Sequence, residues 1–337
     1  MQRRKLGASG PEVGAIGLGC MGMSDFYGPA DRTESIATIH AALESGATLI
    51  DTGDFYGSGH NEMLIAEGLR GRRREDYVLS VKFGTLRDPA MGFVGYDGRP
   101  EAVKNFLAYS LKRLGVEYVD IYRPARLDPA VPIEDTVGAI ADMVGKGYVR
   151  AIGLSEVGAQ TVRRAAAVHP ISDLQIEYSL VMRMIESEIL PACRELGVGI
   201  TAYGVLARGL ISGHWSKDRA SERDFRAFSP RFAGENLDHN LALVEALRQV
   251  AEARGLSVAA AAVAWVPSRR GTTSCRWSAR ASAANGPSRA PPTRCGSARR
   301  TWPRSNRRRP RARPRASAIP RRRWRISTAR NGGEFSG

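Results

Sequence analysis

Strand-like and helix-like segments alternate along the first 270 residues, at a spacing of about 30 residues. Such alternation is typical of repeated βα units that build a parallel sheet. Short apolar runs mark the predicted strands, at Ala15–Gly19, Thr48–Asp51, Tyr77–Lys82, Tyr118–Tyr122, Val149–Leu154, Asp173–Glu177 and Gly199–Tyr203. A single barrel of eight such units usually takes about 250 residues. The pattern therefore predicts an α/β fold of the (β/α)8 TIM-barrel type, with a small hairpin over residues 3–15 at the bottom.

The pattern stops near residue 270, where the composition changes. From Gly271 to Gly337 the sequence has 18 arginines, one glutamate, and neither leucine nor valine. This segment carries a charge of +17, so the residues before it carry −1 of the net +16. A segment so poor in aliphatic side chains buries too little apolar area to offset its chain entropy. We therefore expect a barrel over residues 1–269 without its eighth strand and final helix, followed by a disordered basic tail over residues 270–337.

Two explanations of this tail are open. An arginine-rich arm binds nucleic acid through phosphate contacts and counterion release. Alternatively, the tail is a frameshift, since Ala, Arg, Pro, Ser and Gly dominate when a GC-rich gene is read out of register. With GC-rich codons, a two-base shift from Gly271 gives Asp-Asp-Ile-Val-Pro-Leu-Val-Gly-Ala, a strand followed by a glycine loop, and the same shift over Ala318–Arg330 gives a helix-like terminus. We favour the frameshift and do not expect nucleic acid as a partner.

A short motif after the second predicted strand points to proton transfer. Asp51 ends this strand, Tyr56 follows five residues later in a glycine-containing loop, and Lys82 ends the next strand. A nearby lysine lowers the pKa of a tyrosine by favouring the phenolate, and a carboxylate beside the lysine keeps it charged. Taken singly, the three residues also suit a helix cap, a packing aromatic and a surface charge. Together they predict a proton donor suited to reducing a carbonyl near neutral pH.

Several motifs, in order along residues 3–269, resemble those of the aldo-keto reductase superfamily. They are Asp51–Gly57 (DTGDFYG), Ser80–Gly84 (SVKFG), Ile152–Glu156 (IGLSE), Gln175–Leu180 (QIEYSL) and Tyr203–Leu210 (YGVLARGL). The resemblance implies reduction of aldehydes or ketones by hydride from NADPH, without metal or flavin. It makes Tyr56 the general acid that protonates the carbonyl oxygen. Lys82 would lower the pKa of Tyr56, and Asp51 would hold Lys82.

The resemblance also implies which residues bind the cofactor. Ser155 and Gln175 would hydrogen-bond the nicotinamide carboxamide, and Tyr203 would stack on the ring. Further positions at the strand ends and in the last motif are expected to contact the cofactor, namely Gly19, Cys20, Met21, Leu206 and Arg208.

Two departures from the family pattern bear on function. Ala125 stands where the family has a histidine that donates a hydrogen bond to the substrate carbonyl, and loss of such a donor costs about 10²-fold in rate. Arg123 and Arg126 are the nearby residues that could replace it. The basic loop that holds the adenosine 2′-phosphate after the eighth strand has no recognisable copy. An alternative function is therefore a nicotinamide-nucleotide-binding subunit with little or no turnover.

The remaining sequence features favour a soluble cytoplasmic protein with a small-molecule carbonyl substrate. The N-terminus has no apolar segment typical of a secretion signal, and no apolar run reaches the roughly 18 residues of a membrane span. The four cysteines show neither metal-ligand spacing nor a dense disulfide pattern, so we expect no metal and no membrane partner. The motifs specify neither the carbonyl compound nor an oligomeric state.

Overall fold

The computed structural model describes residues 1–24, 26–27, 29–213, 226, 229–268 and 274–278. The strands are β1 (Arg3–Lys5), β2 (Glu12–Gly14), β3 (Ile16–Gly19), β4 (Leu49–Gly53), β5 (Val78–Phe83), β6 (Thr85–Arg87), β7 (Phe93–Tyr96), β8 (Val119–Pro124), β9 (Val149–Ser155), β10 (Ile171–Glu177), β11 (Gly199–Tyr203) and β12 (Ser274–Ser278). The α-helices are α1 (Arg32–Glu44), α2 (His60–Gly68), α3 (Pro100–Leu114), α4 (Ile133–Gly145), α5 (Ala159–Val168), α6 (Ile189–Glu195), α7 (Gly234–Glu252) and α8 (Val258–Ser268).

Eight of these strands form one closed barrel, in the ring order β3, β4, β5, β8, β9, β10, β11 and β12. Neighbouring strands in the ring are parallel. Strands β4, β5 and β10 are buried along nearly their whole length, as is usual for parallel strands that are covered on both faces. Helices alternate with the strands along the chain and pack on them from outside. The (β/α)8 barrel predicted from the sequence is confirmed.

The eighth strand, which we expected to be missing, is present as β12. It pairs with β11 through Thr201 opposite Ser274, and with β3 through Cys275–Ser278 opposite Ile16–Gly19. Strand pairing uses backbone N–H and C=O groups, which every non-proline residue supplies, and the flanking strands would otherwise expose unpaired edges. A segment of unsuitable composition can therefore still complete the ring. The predicted disorder of the tail and the missing final helix lie outside the described residues.

The N-terminal hairpin closes the bottom of the barrel, as predicted. Strands β1 and β2 pair antiparallel, and Leu6 and Val13 are fully buried in one cluster with Leu49. Gly7 has a φ of +66°, and a Cβ there would lie 2.1 Å from the carbonyl oxygen of Ser172. Only glycine fits this left-handed, close approach. The bottom is therefore filled by side chains, which leaves the opposite end of the barrel for a site.

The outer helices follow simple start and stop signals. Helix α3, for example, begins with Pro100 in its first turn and ends at Gly115, which has a left-handed φ of +66°. Its buried face includes Val103 and Leu107, while charged residues face outward. Within the ranges that the structure describes, no helix is long and apolar enough to cross a membrane.

Candidate active site

Asp51 and Lys82 meet at the carboxyl ends of neighbouring strands. Asp51 on β4 lies opposite Ser80 on β5, and Lys82 follows two residues further along β5. Successive side chains of a strand point to opposite faces, so Ser80 and Lys82 share the inward face. Asp51 and Lys82 form a buried ion pair through Oδ2 and Nζ. The structure thus brings together two of the three predicted catalytic residues.

The Asp51 carboxylate receives further hydrogen bonds from two other side chains. Ser80 Oγ donates to Oδ1 at 2.9 Å, and Gln175 Nε2 donates to the same oxygen at 2.6 Å. Donors that converge on an ionised carboxyl stabilise its charged form. A buried carboxylate held in this way is a fixed counter-ion for Lys82.

Tyr56 lies above this pair, at the start of a short 3-10 segment (Tyr56–Gly59) that follows β4. Gly57 and Gly59 in this segment have φ values of +55° and +93°, so the tight turn depends on glycine. The Tyr56 side chain is only 4% exposed, and Lys82 Nζ lies 5.0 Å from the centre of its ring. Phe55 packs edge-on against Tyr56 at 4.7 Å between ring centres. All three predicted catalytic residues are therefore in one place.

Two buried carboxyl groups that follow β4 in the chain, Asp54 and Glu62, were missed by the sequence analysis. Burial, with the Glu62 carboxylate nearby, raises the pKa of Asp54 to about 8. Burial likewise raises the pKa of Glu62, against the opposing effect of its ion pair with Arg113. Asp54 lies inside the recognised motif, but nothing in the sequence marks it as buried, because neighbours such as Gly84 and Arg113 are distant from it in sequence.

Arg123 occupies the interior of the barrel and not the substrate side. Its guanidinium is fully buried and donates to both oxygens of Asp173, at 2.9 and 3.1 Å. A third hydrogen bond runs from Nη2 to Ser80 Oγ at 3.1 Å. Gly153 leaves room for this pair, since a Cβ there would lie 2.9 Å from Arg123 Cζ. Arg123 therefore does not replace the family's histidine, and its pairing with Asp173 was not foreseen.

Ala125 contributes no side-chain donor to the site. It is buried, and its backbone N–H donates to the carbonyl oxygen of Phe83 at 2.8 Å. The exposed Arg126 donates through Nη1 to the Ala125 carbonyl oxygen at 2.7 Å. In this arrangement the Arg126 side chain folds back on its own backbone.

The three residues expected to hold the nicotinamide lie on adjacent strands. Ser155 on β9 and Gln175 on β10 are paired in register, and both are almost fully buried. Tyr203 ends β11 and is partly exposed, as a stacking role requires. Burial and the neighbouring Glu156 carboxylate raise the pKa of Tyr203, so it stays a neutral phenol over the working pH range.

The other predicted cofactor residues lie near the carboxyl ends of β3 and β11, the two strands that flank β12 in the ring. Gly19 ends β3, and Cys20 and Met21 follow it. The Cys20 N–H donates to the Asp51 carbonyl oxygen at 2.9 Å, and the Cys20 thiol is buried. Leu206 precedes the 3-10 segment Ala207–Ser212 after β11.

Arg208, in that 3-10 segment, lies close to an acidic partner. Its guanidinium is 3.4 Å from the Glu177 carboxylate, and Arg231 also approaches Glu177, at 2.8 Å. The charge of Arg208 is therefore partly balanced within the protein. Across the described ranges, no cluster of three His, Cys, Asp or Glu side chains could hold a metal ion.

Comparisons with known proteins match most of the chain to one protein family. The sequence model of the Aldo/keto reductase family matches residues 15–283, which continues past residue 269 and through β12. Probable aldo-keto reductase 1 from Glycine max is 41% identical over 269 residues, 79% of this chain and 77% of the relative.

Solved structures of the same family share the fold. A glycerol dehydrogenase from Gluconobacter oxydans superposes with a TM-score of 0.75 at 29% identity, covering 82% of this chain and 86% of that one. An aldo-keto reductase from Bacillus halodurans, in its holo form, gives a TM-score of 0.68 at 25% identity, covering 83% and 87%. The chain therefore belongs to the aldo/keto reductase family of oxidoreductases.

Proposed function

We propose that this protein reduces an aldehyde or ketone with NADPH as the hydride donor and Tyr56 as the general acid. The observation that carries this proposal is the close arrangement of a phenol, an ammonium group and a carboxylate at the open end of the barrel. Tyr56 lies over Lys82, and Lys82 is paired with the buried Asp51.

The residues present suit the nicotinamide end of the cofactor. Ser155 brings a hydroxyl donor, and the Gln175 amide, with Nε2 turned to Asp51, brings a carbonyl acceptor, which together match a carboxamide group. Tyr203 supplies a neutral aromatic face. When bound, NADPH would supply the hydride. Residues for its adenosine end follow the eighth strand in the family, and here that part of the sequence lies outside the described residues.

In this proposal Tyr56, Lys82 and Asp51 carry out the proton transfer to the substrate. Tyr56 holds it on the phenol oxygen and releases it to the carbonyl oxygen of the substrate, which leaves a phenolate. The positive charge of Lys82 favours that phenolate, and Asp51 holds Lys82 in position. Because Tyr56 and Lys82 are nearly inaccessible to water, their mutual field is weakly screened.

A second candidate function is a nicotinamide-nucleotide-binding subunit with little turnover. The observation that favours it is Ala125, a buried methyl group where the family has a hydrogen-bond donor. The missing donor alone costs about 10²-fold in rate. Under this alternative, the Ser155–Gln175–Tyr203 face binds the nucleotide while the site above Tyr56 is catalytically weak.

We further propose that the segment after residue 270 is an out-of-frame translation of the family's eighth strand, phosphate loop and final helix. Strand β12 lies where the shifted reading gives Ile-Val-Pro-Leu-Val, and the Glycine max relative is matched over only 77% of its length. The nucleotide sequence around codon 270 tests this, since one gained or lost base is expected there. An intact register would favour a native basic arm, whose binding of nucleic acid should be sensitive to salt.

We also propose that the protein is cytoplasmic and that its partner is a small-molecule carbonyl compound.

The test of function is NADPH oxidation with a panel of reactive aldehydes, run beside a measurement of NADPH binding by fluorescence. Turnover that requires an aldehyde supports the reductase. Binding without turnover for any aldehyde would overturn the reductase and support the nucleotide-binding subunit. The same assay with NADH in place of NADPH measures which of the two cofactors the protein prefers.

A further inference from the structure

A continuous chain of hydrogen bonds lies beneath the Asp51–Lys82 pair. Arg123 donates to both oxygens of Asp173 and, through Nη2, to Ser80 Oγ at 3.1 Å. Ser80 Oγ in turn donates to Asp51 Oδ1 at 2.9 Å. All four side chains are fully buried, so the chain runs through the barrel interior without water access.

The direction of each bond in this chain is fixed by chemistry. An arginine guanidinium has only donors, so Ser80 must accept from Arg123. The single hydroxyl proton of Ser80 is then left for Asp51, which is ionised in its pair with Lys82 and can only accept. Arg123 therefore selects the one orientation of the Ser80 hydroxyl that supports the Asp51 carboxylate.

Asp173 anchors Arg123 at the far end of the chain. Besides the two bonds from Arg123, Asp173 accepts from Ser172 Oγ at 2.9 Å and from Thr201 Oγ1. Without such a partner, a fully buried guanidinium would be strongly disfavoured. The anchor thus holds a second positive charge permanently below the catalytic pair, and its bidentate geometry keeps Nη2 aimed at Ser80.

We infer that Arg123 is a positioning residue, which fixes the Ser80 hydroxyl on Asp51 and thereby orients the Asp51–Lys82 pair beneath Tyr56. This inference rests on the proposed roles of Asp51, Lys82 and Tyr56. Removal of the Ser80 donor leaves more negative charge on Asp51, which reduces the positive field at Tyr56 and disfavours its phenolate. This chain of hydrogen bonds from Asp173 through Arg123 and Ser80 to Asp51, which we call the relay, therefore acts on the phenol of Tyr56 without contact with substrate or cofactor.

The test uses three variants of the full chain. Ser80→Ala removes the link to Asp51 but keeps the Arg123–Asp173 pair, and Arg123→Lys keeps the charge but loses the planar fork. Ser172→Ala is the matched control, because it removes a buried hydroxyl that contacts Asp173 and not Asp51. The pKa of Tyr56 is read by 13C NMR of protein labelled at the tyrosine Cζ, with the signal assigned by its absence in Tyr56→Phe.

We expect Ser80→Ala and Arg123→Lys each to raise the pKa of Tyr56 by about half a unit to one unit. The double variant should shift no further than Ser80→Ala alone, because both changes break the same relay. Ser172→Ala should leave the Tyr56 titration in place. In aldehyde reduction, kcat should fall about tenfold in Ser80→Ala, with KM unchanged within about twofold. Rescue is expected in part from Ser80→Thr, which restores a hydroxyl.

An unchanged Tyr56 titration in folded Ser80→Ala would overturn the inference, as would an equal shift in Ser172→Ala or fully additive shifts in the double variant. If Arg123→Lys fails to fold, Asp173→Glu takes its place, because it keeps the charge pair but displaces the guanidinium that donates to Ser80; an unchanged Tyr56 titration there would also overturn the inference. The NMR titration needs no substrate. A shifted Tyr56 pKa in a protein that reduces no aldehyde would therefore contradict the proposed function while supporting the relay.

Discussion

Gln175 Nε2 donates to Asp51 Oδ1 at 2.6 Å across the full width of the barrel. Their strands, β10 and β4, are fourth neighbours in either direction around the eight-stranded ring, so they face each other. Ser80 and Lys82 reach the same carboxylate from β5. The position of Asp51 therefore depends on contacts from opposite walls, and hence on closure of the ring that β12 completes.

Substitution of Gln175 tests the contact across the barrel. Loss of the amide in Gln175→Leu removes one charge-assisted hydrogen bond, worth about 1.5–3 kcal/mol in the free energy of unfolding. Gln175→Glu should cost more at pH 8, because a second carboxylate would face Asp51. Urea unfolding at pH 8 and pH 5 measures both variants. The difference in the free energy of unfolding between Gln175→Glu and Gln175→Leu should be smaller at pH 5, where the new carboxyl binds a proton. An equal difference at both pH values would argue against the close contact between residue 175 and Asp51.

The raised pKa of Asp54 predicts how the free energy of unfolding depends on pH. Its pKa is raised from 3.8 to about 8, so the folded state binds a proton that the unfolded state releases between these values. This stabilising contribution is therefore present at low pH and is lost as pH rises through about 8. Relative to Asp54→Asn, the wild type should lose up to about 1.4 kcal/mol per pH unit between pH 4 and pH 8. Parallel stability curves for the two proteins in denaturant titrations would show that Asp54 ionises normally.

Ala125 predicts a gain of activity. Ala125→His places a hydrogen-bond donor where the family has one, and we expect kcat for aldehyde reduction to rise by about tenfold or more. Ala125→Leu is the control for side-chain size, since it adds similar bulk to this buried position without a donor. Steady-state kinetics on one aldehyde compares the three proteins. An equal response to both substitutions would mean that the donor is not what limits the rate.

Lys82 predicts a shift of the pH profile. In reduction, the general acid is lost as pH rises through its pKa, and Lys82 is expected to hold that pKa down. Lys82→Met should move the alkaline limb of kcat/KM to higher pH and lower the plateau by about 10²-fold. Lys82→Arg keeps a positive charge and should shift the limb less. A limb at the same pH in Lys82→Met and wild type would assign it to another group.

The grouping of Asp51, Lys82 and Tyr56 could be predicted from the sequence because Asp51 and Lys82 lie near the ends of consecutive barrel strands. In parallel βα units, the ends of neighbouring strands meet at one rim, so Asp51 and Lys82 had to be close. The tyrosine in the following loop is carried to the same rim. These inferences need only strand order, which the apolar runs provide.

The buried polar groups could not be predicted in the same way. Arg123 and Asp173 lie inside the barrel because of strand register and side-chain alternation, and a shift of one residue would have turned each outward. Asp54 is buried by residues distant in sequence. The strand Ser274–Ser278 was missed because its composition is poor, whereas its pairing depends on backbone groups and on the two open strand edges beside it.

The central claim, that Tyr56 is the proton donor in carbonyl reduction, is tested most directly by Tyr56→Phe. This change removes the hydroxyl and keeps the ring contacts with Lys82 and Phe55. NADPH oxidation with an aldehyde should fall by about 10²–10⁴-fold, while NADPH binding and the melting temperature stay as in the wild type. Aldehyde reduction by Tyr56→Phe at the wild-type rate would contradict the account.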